Sequence, residues 1–441
     1  MKPIIRILAF SLLVFAAAMP AGQGFAAGLG GLGGLGGLGG LPRLPLPAPN
    51  LPPVVNGAAG AAARQVQQIA DNAGRPLQPD AFERDALGTR VVKSEVLALS
   101  PSDAGLAAAR RLNFQVLRQE NLGALNLSVT VLRAPPGMSV SDALAALRAA
   151  DPAGVYDYNH IYDPSAGVVV ADNGASAIAK ARNISGRGVV IGMLDGGIDR
   201  DHPELRGAKI VTANVAGSGA SPPSEHGTAV ASVIAGSGPQ FKGALPGATI
   251  YAADVYGGSP TGGSADAVAQ GLAWVVGKGA TVINVSLAGP PNQLVEAVVR
   301  AALARGHVIV AAVGNDGPAT PVEYPAAYDG VIAATSVDSE HRIQIDANQG
   351  PQVAFAALGV DVPVAMPKKG YGSATGTSFA APIVAARFAL KLPRPDVQAV
   401  ERVYRDLQNE ALDLGAMGRD PVFGWGFLDE YAGEGGVVSV R

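Results

Sequence analysis

The chain has 441 residues, and its 33 Lys and Arg nearly balance its 36 Asp and Glu, for a formal net charge of −3. Because no run of like charges stands out, the composition predicts neither a nucleic-acid partner nor binding to an anionic membrane surface. Cysteine is absent, which excludes disulfides, zinc-thiolate sites and thiol catalysis. The length exceeds that of one typical domain, so we expect a core domain with accessory segments.

Residues 1–26 have the pattern of a secretory signal peptide. Lys2 and Arg6 precede an apolar run over 7–19, and small residues follow. The run is shorter than a membrane span needs, which favours a cleaved signal over an N-terminal anchor. We therefore expect a secreted or periplasmic protein without a membrane anchor after signal cleavage, with the cut after Ala18 or Ala26.

Residues 27–89 are predicted to be a Gly/Pro-rich linker with an Ala-rich segment, largely disordered. Leucines alternate with glycine pairs over 28–41, and a proline-rich stretch follows. Such a composition buries too little apolar surface to offset the entropy lost on ordering. The glycine-rich part is expected to be flexible and the proline-rich part stiffer.

Residues 90–165 show a regular alternation of strand and helix patterns. The order β-α-β-β-α-β predicts a small ferredoxin-like α+β domain, with two helices on one face of an antiparallel sheet. No paired carboxylates, histidine cluster or nucleophile is visible in it, so a generic adaptor domain is one interpretation. The predicted strands cover 91–99, 114–120, 125–134 and 154–163, and the predicted helices cover 103–112 and 138–150.

After Ala166 the chain alternates strands and helices in the manner of a parallel sheet covered on both faces. The first core strand, over 189–194, ends on Asp195. The carboxyl end of a central parallel strand is where such sheets place their functional sites, although a strand-end capping aspartate has the same pattern. His226 stands at a predicted helix start, which holds a histidine near its neutral form and suits a general base. A structural histidine is the alternative.

The stretch YGSATGTSFAAPIVAA, over 371–386, places Ser378 between a small-residue loop and an apolar segment of helical spacing. Ser378 is expected to project into open space at a helix start, beside unpaired backbone N–H groups that could bind an oxyanion. Pro382 is expected in the first helical turn, where its missing N–H costs little. An ordinary helix N-cap is the alternative for Ser378.

Together these stretches resemble the motifs of the subtilisin-like serine proteases, the subtilases of peptidase family S8. LDGGIDRDHPEL resembles the aspartate motif, with Gly196 in place of its hydroxyl residue. HGT resembles the histidine motif, with Ala229 in place of a second histidine, and GTSFAAP resembles the nucleophile motif. The order Asp, His, Ser along the chain is that of subtilisin and differs from that of chymotrypsin and the α/β-hydrolases. The resemblance implies a subtilisin-like catalytic domain over 166–432 and a C-terminal tail over 433–441.

The resemblance also implies a catalytic mechanism. His226 would take the hydroxyl proton of Ser378, Asp195 would orient the imidazole, and an acyl-enzyme would form and hydrolyse. Asn315, which follows the strand VIVAAV, matches the oxyanion-hole asparagine of the family, although Asn-Asp-Gly is also a turn signal. The expected activity is that of a secreted serine endopeptidase made as a zymogen.

Six further residues are expected to bind extended polypeptide substrates. TVINVSLAGP resembles the strand that flanks the substrate, and such an edge pairs with a peptide through backbone hydrogen bonds. Glu323 precedes a Tyr-Pro pair and by resemblance lies near the floor of the pocket for the side chain before the scissile bond. There it would attract Lys or Arg, whereas a Glu323 that turns outward would leave the pocket apolar. The six residues are Ser286, Leu287, Ala288, Gly289, Gly314 and Glu323.

The domain over 90–165 looks like the propeptide of secreted subtilases, an intramolecular inhibitor whose last strand leads into the cleft. Its removal is expected between Asp163 and Lys180. No cofactor is required and no metal ligand is assigned. The segment SGPQFKG is shorter than the metal loop of many relatives, which argues against a calcium site there, while a structural calcium ion elsewhere is left open. Alternatives are a catalytically silent subtilase-fold binding protein and a sedolisin-type acid peptidase, which uses Glu where this chain has His226.

Overall fold

The computed structural model describes five stretches of the chain, all within one unit of the fold. The predicted signal peptide, the C-terminal tail over 433–441 and most of the predicted linker lie outside the described residues. The five stretches are 81–165, 169–171, 184–238, 240–259 and 262–428. None of the helices in these stretches is long and apolar enough to cross a membrane.

The N-terminal domain is an antiparallel sheet with two helices on one face. Its own strands run in the order β5-β2-β4-β3, with β1 paired to β2, as the predicted β-α-β-β-α-β order requires. Residues 82–84, which the sequence analysis assigned to the linker, form β1, so the ordered part of the chain begins before Arg90. The elements are β1 (Phe82–Arg84), β2 (Arg90–Leu99), α1 (Asp103–Arg111), β3 (Gln115–Leu122), β4 (Leu127–Arg133), α2 (Val140–Ala150) and β5 (Val155–Pro164).

Both faces of this sheet are buried. On one face Val96 and Leu132 pack with Leu144 of α2 in a local core. Helix α1 begins where the sequence predicts and α2 begins two residues later, because Ser102 and Ser139 cap them through their hydroxyl oxygens. On the other face, the apolar residues Leu97, Val129 and Val131 belong to the core of the C-terminal domain.

The C-terminal domain is built on a parallel sheet of seven strands, in the order β15-β14-β13-β11-β7-β9-β8. Most of its strands are continuous buried runs, as parallel sheets covered on both faces require. The strands are β7 (Val190–Asp195), β8 (Lys209–Asn214), β9 (Thr249–Asp254), β11 (Val282–Val285), β13 (Val308–Ala312), β14 (Ile332–Val337) and β15 (Val353–Leu358).

Helices cover both faces of this sheet, which confirms the predicted α/β fold class. On one face α3 (Glu225–Ala235) and α6 (Thr377–Lys391) share a core with β7 and β13, and α7 (Val397–Glu410) packs outside α6. On the other face α4 (Ala265–Gly277) and α5 (Gln293–Leu303) pack together. Single 3₁₀ turns occur at Gly123–Leu125 and Pro203–Leu205.

Short strands join the two domains into a shared sheet. β10 (Gly263–Ser264) and β12 (Leu287–Ala288) both pair antiparallel with β5, one on each side. The end of β5 therefore lies as an extended strand between two edges of the C-terminal domain. A separate antiparallel sheet is formed by β6 (Val169–Ala171), β16 (Val362–Met366) and β17 (Gly370–Ala374).

Pro382 lies in the second turn of α6, so its predicted place in the first turn is wrong. The helix begins at Thr377, and an N–H at position 382 would have bound the carbonyl of Ser378. The hydroxyl of Ser286 donates to that carbonyl at 2.9 Å instead. A side chain from the neighbouring β11–β12 segment thus satisfies the acceptor that proline leaves free.

Candidate active site

Four of the sequence-predicted residues lie near the carboxyl ends of the parallel strands. Asp195 is the last residue of β7, and Asn315 follows β13. His226 and Ser378 are the second residues of α3 and α6. This is the edge of an α/β sheet where loops and helix N-termini converge, and hence where ligands bind.

Asp195 and His226 form a hydrogen-bonded pair in which the carboxylate is buried and the imidazole is partly buried. Asp195 is 1% exposed, and its Oδ1 lies 2.8 Å from Nδ1 of His226. The same oxygen accepts a hydrogen bond of 2.7 Å from the backbone N–H of Gly196. A carboxylate at Nδ1 favours the tautomer that carries its proton there, which leaves Nε2 as the acceptor. The pair thus presents a base toward α6.

Gly196 is required by the packing around Asp195. A Cβ at position 196 would lie 3.0 Å from Cβ of Ser224, which caps α3 by accepting a hydrogen bond from the N–H of Gly227. Ser224 therefore takes the space that a hydroxyl side chain at 196 would need. Oδ2 of Asp195 is buried and has no hydrogen-bond partner among the described residues.

A second buried carboxyl group lies beside Asp195. Asp254 ends β9 and stands opposite Asp195 in the strand register. Burial raises the pKa of Asp254, although hydrogen bonds from the backbone N–H groups of Tyr256 and Gly257 oppose the shift. Burial also raises the pKa of the Tyr256 phenol well above its usual value, and the charge of Asp195 adds to that shift. Neither Asp254 nor Tyr256 was predicted as a site residue from the sequence.

Ser378 is buried, so the expectation that it projects into open space is wrong. Its backbone N–H donates to the carbonyl of Ser165 at 3.2 Å, and its Oγ donates to the carbonyl of Ser286 at 3.2 Å. Nε2 of His226 is buried without a hydrogen-bond partner in the described part of the chain. The imidazole lies beside α6, with 5.7 Å between the ring centroids of His226 and Phe379. A contact between nucleophile and base is often made only when substrate is bound.

Two hydrogen-bond donors converge on the backbone carbonyl of Ser165. Its oxygen accepts from Nδ2 of Asn315 at 2.5 Å and from the backbone N–H of Ser378 at 3.2 Å. The N–H of Ser165 donates to the carbonyl of Ser286 at 3.3 Å. Converging donors of this kind stabilise the negative charge that develops on a carbonyl oxygen during acyl transfer.

The predicted substrate edge contacts the end of β5 in two ways. Leu287 and Ala288 pair with Pro164 and Asp163 in the strand ladder. Gly289 instead pairs with the backbone of Tyr324, and a Cβ at 289 would lie 2.7 Å from the ring of Tyr162. Gly289 thus lines the cleft by close contact, without joining the ladder.

Glu323 lies behind this edge, with its carboxylate turned toward the loop that carries Asn315. Its N–H donates to the carbonyl of Val313 at 3.1 Å. Gly314 adopts a left-handed conformation with φ of 106°, and a Cβ there would lie 2.7 Å from Oε2 of Glu323. The Glu323 carboxylate is therefore packed against the Gly314 backbone.

The family model described as the subtilase family, Peptidase_S8, matches residues 186–426. The chain belongs to the subtilase family. Subtilisin Savinase from Lederbergia lenta is 34% identical over 249 residues, which are 54% of this chain and 88% of that protein. The minor extracellular protease Epr from Bacillus subtilis is 30% identical over 248 residues, which are 56% of this chain but only 38% of Epr.

A solved structure similar to this subtilase is fervidolysin from Fervidobacterium pennivorans, described as a keratinolytic enzyme related to subtilisin. It matches with a TM-score of 0.66 and 21% identity, over 79% of this chain and 61% of fervidolysin. At this identity the likeness concerns the fold alone. The predicted family, fold class and enzyme class are confirmed: the chain is a subtilisin-like serine endopeptidase.

Two residues that the sequence analysis missed hold the loop around Asn315 in this subtilase. Nε2 of Gln344 donates to Oδ1 of Asn315 at 2.9 Å, and Oδ1 of Asn348 accepts from the N–H of Asp316 at 2.7 Å. Gln344 lies 29 positions from Asn315. No local pattern predicts this contact. It depends on the parallel pairing of β13 with β14 and on the backbone hydrogen bond from Gln344 to Ser336 in β14.

The loop after α3 is held by protein groups. Nζ of Lys242 donates to the carbonyls of Ser237 and Gly238 at 2.7 and 3.0 Å. The buried Glu204 accepts from the N–H of Gln240 at 2.8 Å. Over the described stretches, no group of three or more His, Cys, Asp or Glu residues could hold a metal ion. Backbone carbonyl oxygens are common ligands of calcium, and in this loop two of them accept hydrogen bonds from the Lys242 ammonium group.

Proposed function

We propose that this subtilase is a secreted endopeptidase made as a zymogen, with Asp195, His226 and Ser378 as its triad. The observation that carries the proposal is the position of the Ser165 carbonyl, which accepts hydrogen bonds from Nδ2 of Asn315 and the N–H of Ser378. A peptide carbonyl held by two donors beside a serine is the arrangement from which acyl transfer starts.

The proposed reaction begins at the hydroxyl of Ser378. The Ser378 hydroxyl turns from the carbonyl of Ser286 to Nε2 of His226, gives up its proton there, and its Oγ attacks the carbonyl carbon. The resulting oxyanion is bound by Asn315 and by the Ser378 N–H. The C–N bond then breaks, and the leaving amine takes the proton from His226. Water hydrolyses the acyl-enzyme by the same sequence of proton transfers, while Asp195 orients the imidazolium.

The bond between Ser165 and Ala166 is the proposed processing site. It lies within the expected window from Asp163 to Lys180 and coincides with the end of the domain over 90–165. The carbonyl of Ser165 is the one that the oxyanion donors hold. The residues before this bond belong to β5, which pairs with β10 and β12. In the proposed reaction this pairing aligns the bond with Ser378.

The N-terminal domain is the proposed inhibitor because its strand β5 pairs with β10 and β12 and its side chains bind two helix N-termini. Side-chain oxygens of Asp157 and Asn159 accept from the N–H groups of Gln293 in α5 and Asp266 in α4. Acceptors at helix N-termini satisfy otherwise unpaired N–H groups. The negative charge of Asp157 also interacts favourably with the positive end of the helix dipole of α5. While β5 lies between β10 and β12, an extended polypeptide substrate cannot pair with either edge.

Secretion is supported by the signal-peptide pattern and by the relative described as an extracellular protease. Calcium is proposed to be unnecessary at the loop after α3, because Lys242 already binds its carbonyl groups. The proposed substrates are extended polypeptides. Glu323 is proposed to determine which side chain is preferred at the residue before the scissile bond. A catalytically silent binding protein of the same fold is the competing proposal.

Expression of the full chain and of Ser378→Ala, with a serine-directed fluorophosphonate and casein as probes, tests the proposal. The unchanged chain should yield a fragment that begins at Ala166, bind the probe and digest casein. Ser378→Ala should remain uncleaved and unlabelled, whereas the exposed control Ser218→Ala should behave as the unchanged chain does. A full-length, unlabelled and inactive unchanged chain would favour the silent binding protein.

A further inference from the structure

The side-chain amide of Asn315 is hydrogen-bonded at both ends. Its Nδ2 donates to the carbonyl of Ser165, while its Oδ1 accepts from the N–H of Thr377 at 3.0 Å and from Nε2 of Gln344 at 2.9 Å. The orientation matters because the two ends of a primary amide have nearly the same shape and opposite hydrogen-bonding character. A rotation by 180° would point an oxygen at the developing oxyanion and turn stabilisation into repulsion.

The backbone of the segment 344–348 is tied to the loop that carries Asn315. The N–H of Gly317 donates to the carbonyl of Asp346 at 2.8 Å, and the N–H of Asn348 donates to the carbonyl of Gly314 at 3.1 Å. These bonds lie on both sides of Asn315. The N–H of Gln344 itself donates to the carbonyl of Ser336 in β14 at 2.9 Å. Gln344 therefore reaches Asn315 from a backbone fixed to both the sheet and the loop.

The other end of the Gln344 amide argues against a purely structural role. Gln344 is 6% exposed, and its Oε1 is buried without a hydrogen-bond partner among the residues that the structure describes. An unsatisfied buried oxygen is destabilising, so packing alone would favour an apolar side chain of similar size. The polar contact that this side chain is shown to make through Nε2 is the one with Asn315.

We infer that Gln344 is a positioning residue of the oxyanion hole. Its Nε2 holds Oδ1 of Asn315, so that Nδ2 of Asn315 faces the carbonyl under attack. The inference rests on the proposed role of Asn315 in binding the oxyanion. Because Gln344 acts through Asn315, and the charge on the oxyanion develops in the transition state, its removal should lower kcat and leave KM nearly unchanged.

The test compares the matured enzyme with Gln344→Met, which keeps the length of the side chain and removes the amide. We expect kcat to fall roughly tenfold, the size associated with one lost hydrogen bond, and KM to change less than about twofold. Gln344→Glu places a carboxylate oxygen against Oδ1 of Asn315, so its kcat should fall further. Gln352→Met, the same change at an exposed glutamine eight positions along, should leave both constants unchanged.

A double-substitution cycle separates positioning from general damage to the fold. In the Asn315→Ala background, Gln344→Met should cause no additional loss of kcat, because the group that it orients is gone. An equal loss in both backgrounds, or an unchanged kcat in Gln344→Met, overturns the inference. If Gln344→Met does not fold, Gln344→Glu is measured in the same two backgrounds with the same criteria. If Asn315→Ala itself keeps full kcat, the proposed role of Asn315 is wrong and the inference falls with it.

Discussion

The carbonyl oxygen of Ser165 accepts a hydrogen bond of 2.5 Å from Nδ2 of Asn315, a residue 150 positions later in the chain. This contact forms because β5 pairs with both β10 and β12. The pairing holds the end of the N-terminal domain near the carboxyl ends of the parallel strands. The last residue of that domain therefore lies at the two donors that we propose bind the oxyanion.

Replacing Asn315 with alanine removes the side-chain donor that we propose for the oxyanion. We expect kcat to fall about 10²- to 10³-fold, because this contact strengthens as charge develops on the carbonyl oxygen. KM should change little, since the ground-state carbonyl carries less charge. Steady-state kinetics on a short peptide substrate measure both constants. A loss confined to KM would show that Asn315 serves as a turn residue shaping the cleft.

Glu323 should favour Lys or Arg as the residue before the scissile bond. At about 4 Å and an effective dielectric constant near 20, the gross attraction between carboxylate and cation is roughly 4 kcal/mol. Desolvation of both groups offsets much of this, so we expect a preference of several-fold over Leu or Phe in kcat/KM. The measurement uses peptides that differ only at this residue.

Glu323→Gln is the matched control for this preference, because it keeps the side-chain volume and removes the charge. The preference for cationic residues should disappear in this variant, while kcat/KM for Leu and Phe peptides should stay the same or rise. A preference for Leu or Phe that is the same before and after the substitution would show that the pocket is apolar.

Arg118 should slow the release of the N-terminal domain after cleavage. Its Nη2 lies 2.5 Å from Oδ2 of Asp266, whose side chain is 3% exposed, so the pair joins β3 to the start of α4. Arg118→Ala leaves that buried carboxylate without its guanidinium partner, which weakens the contact between the domains. Because Arg118 is 37% exposed, the effect is moderated by solvent.

The expected result for Arg118→Ala is a lag before activity about threefold to tenfold shorter than that of the unchanged chain. A continuous assay started at the moment of processing measures this lag. Arg110→Ala, at an exposed position on α1, should show the unchanged lag. If both variants behave alike, the ion pair does not control release.

The loop after α3 should not depend on calcium. Because Lys242 binds the carbonyls of Ser237 and Gly238, excess EDTA should leave the thermal midpoint of the protein unchanged. Lys242→Ala should lower the midpoint by about 2–4 °C, as expected for the loss of roughly 1 kcal/mol in a domain of this size. Differential scanning calorimetry with and without EDTA measures both. A midpoint that falls on adding EDTA and returns with calcium would contradict this expectation.

Local patterns in the sequence predicted most of the secondary structure. The helix expected over 103–112 is α1, at Asp103–Arg111, and the strand that ends on Asp195 is β7. Such elements can be read from the chain because apolar periodicity and capping serines act over a few residues. Pro382 was predicted one turn too early, because a proline in the second turn leaves the carbonyl of Ser378 without its helical donor. The hydroxyl of Ser286 supplies that donor, and no local pattern connects Ser286 with Pro382.

The sequence by itself determined the family, the fold class and the order of the aspartate, histidine and serine motifs, since each motif is a short contiguous run. Only the tertiary structure decided that the Ser165 carbonyl lies beside Asn315 and that Ser378 is buried. It also decided that Gln344 orients toward Asn315. The physical reason is that these contacts join residues from 29 to 150 positions apart. The contact at Ser165 is set by the packing of the two domains, and the contact at Gln344 by the path of the chain after β14. The residue types along a short stretch do not encode either arrangement.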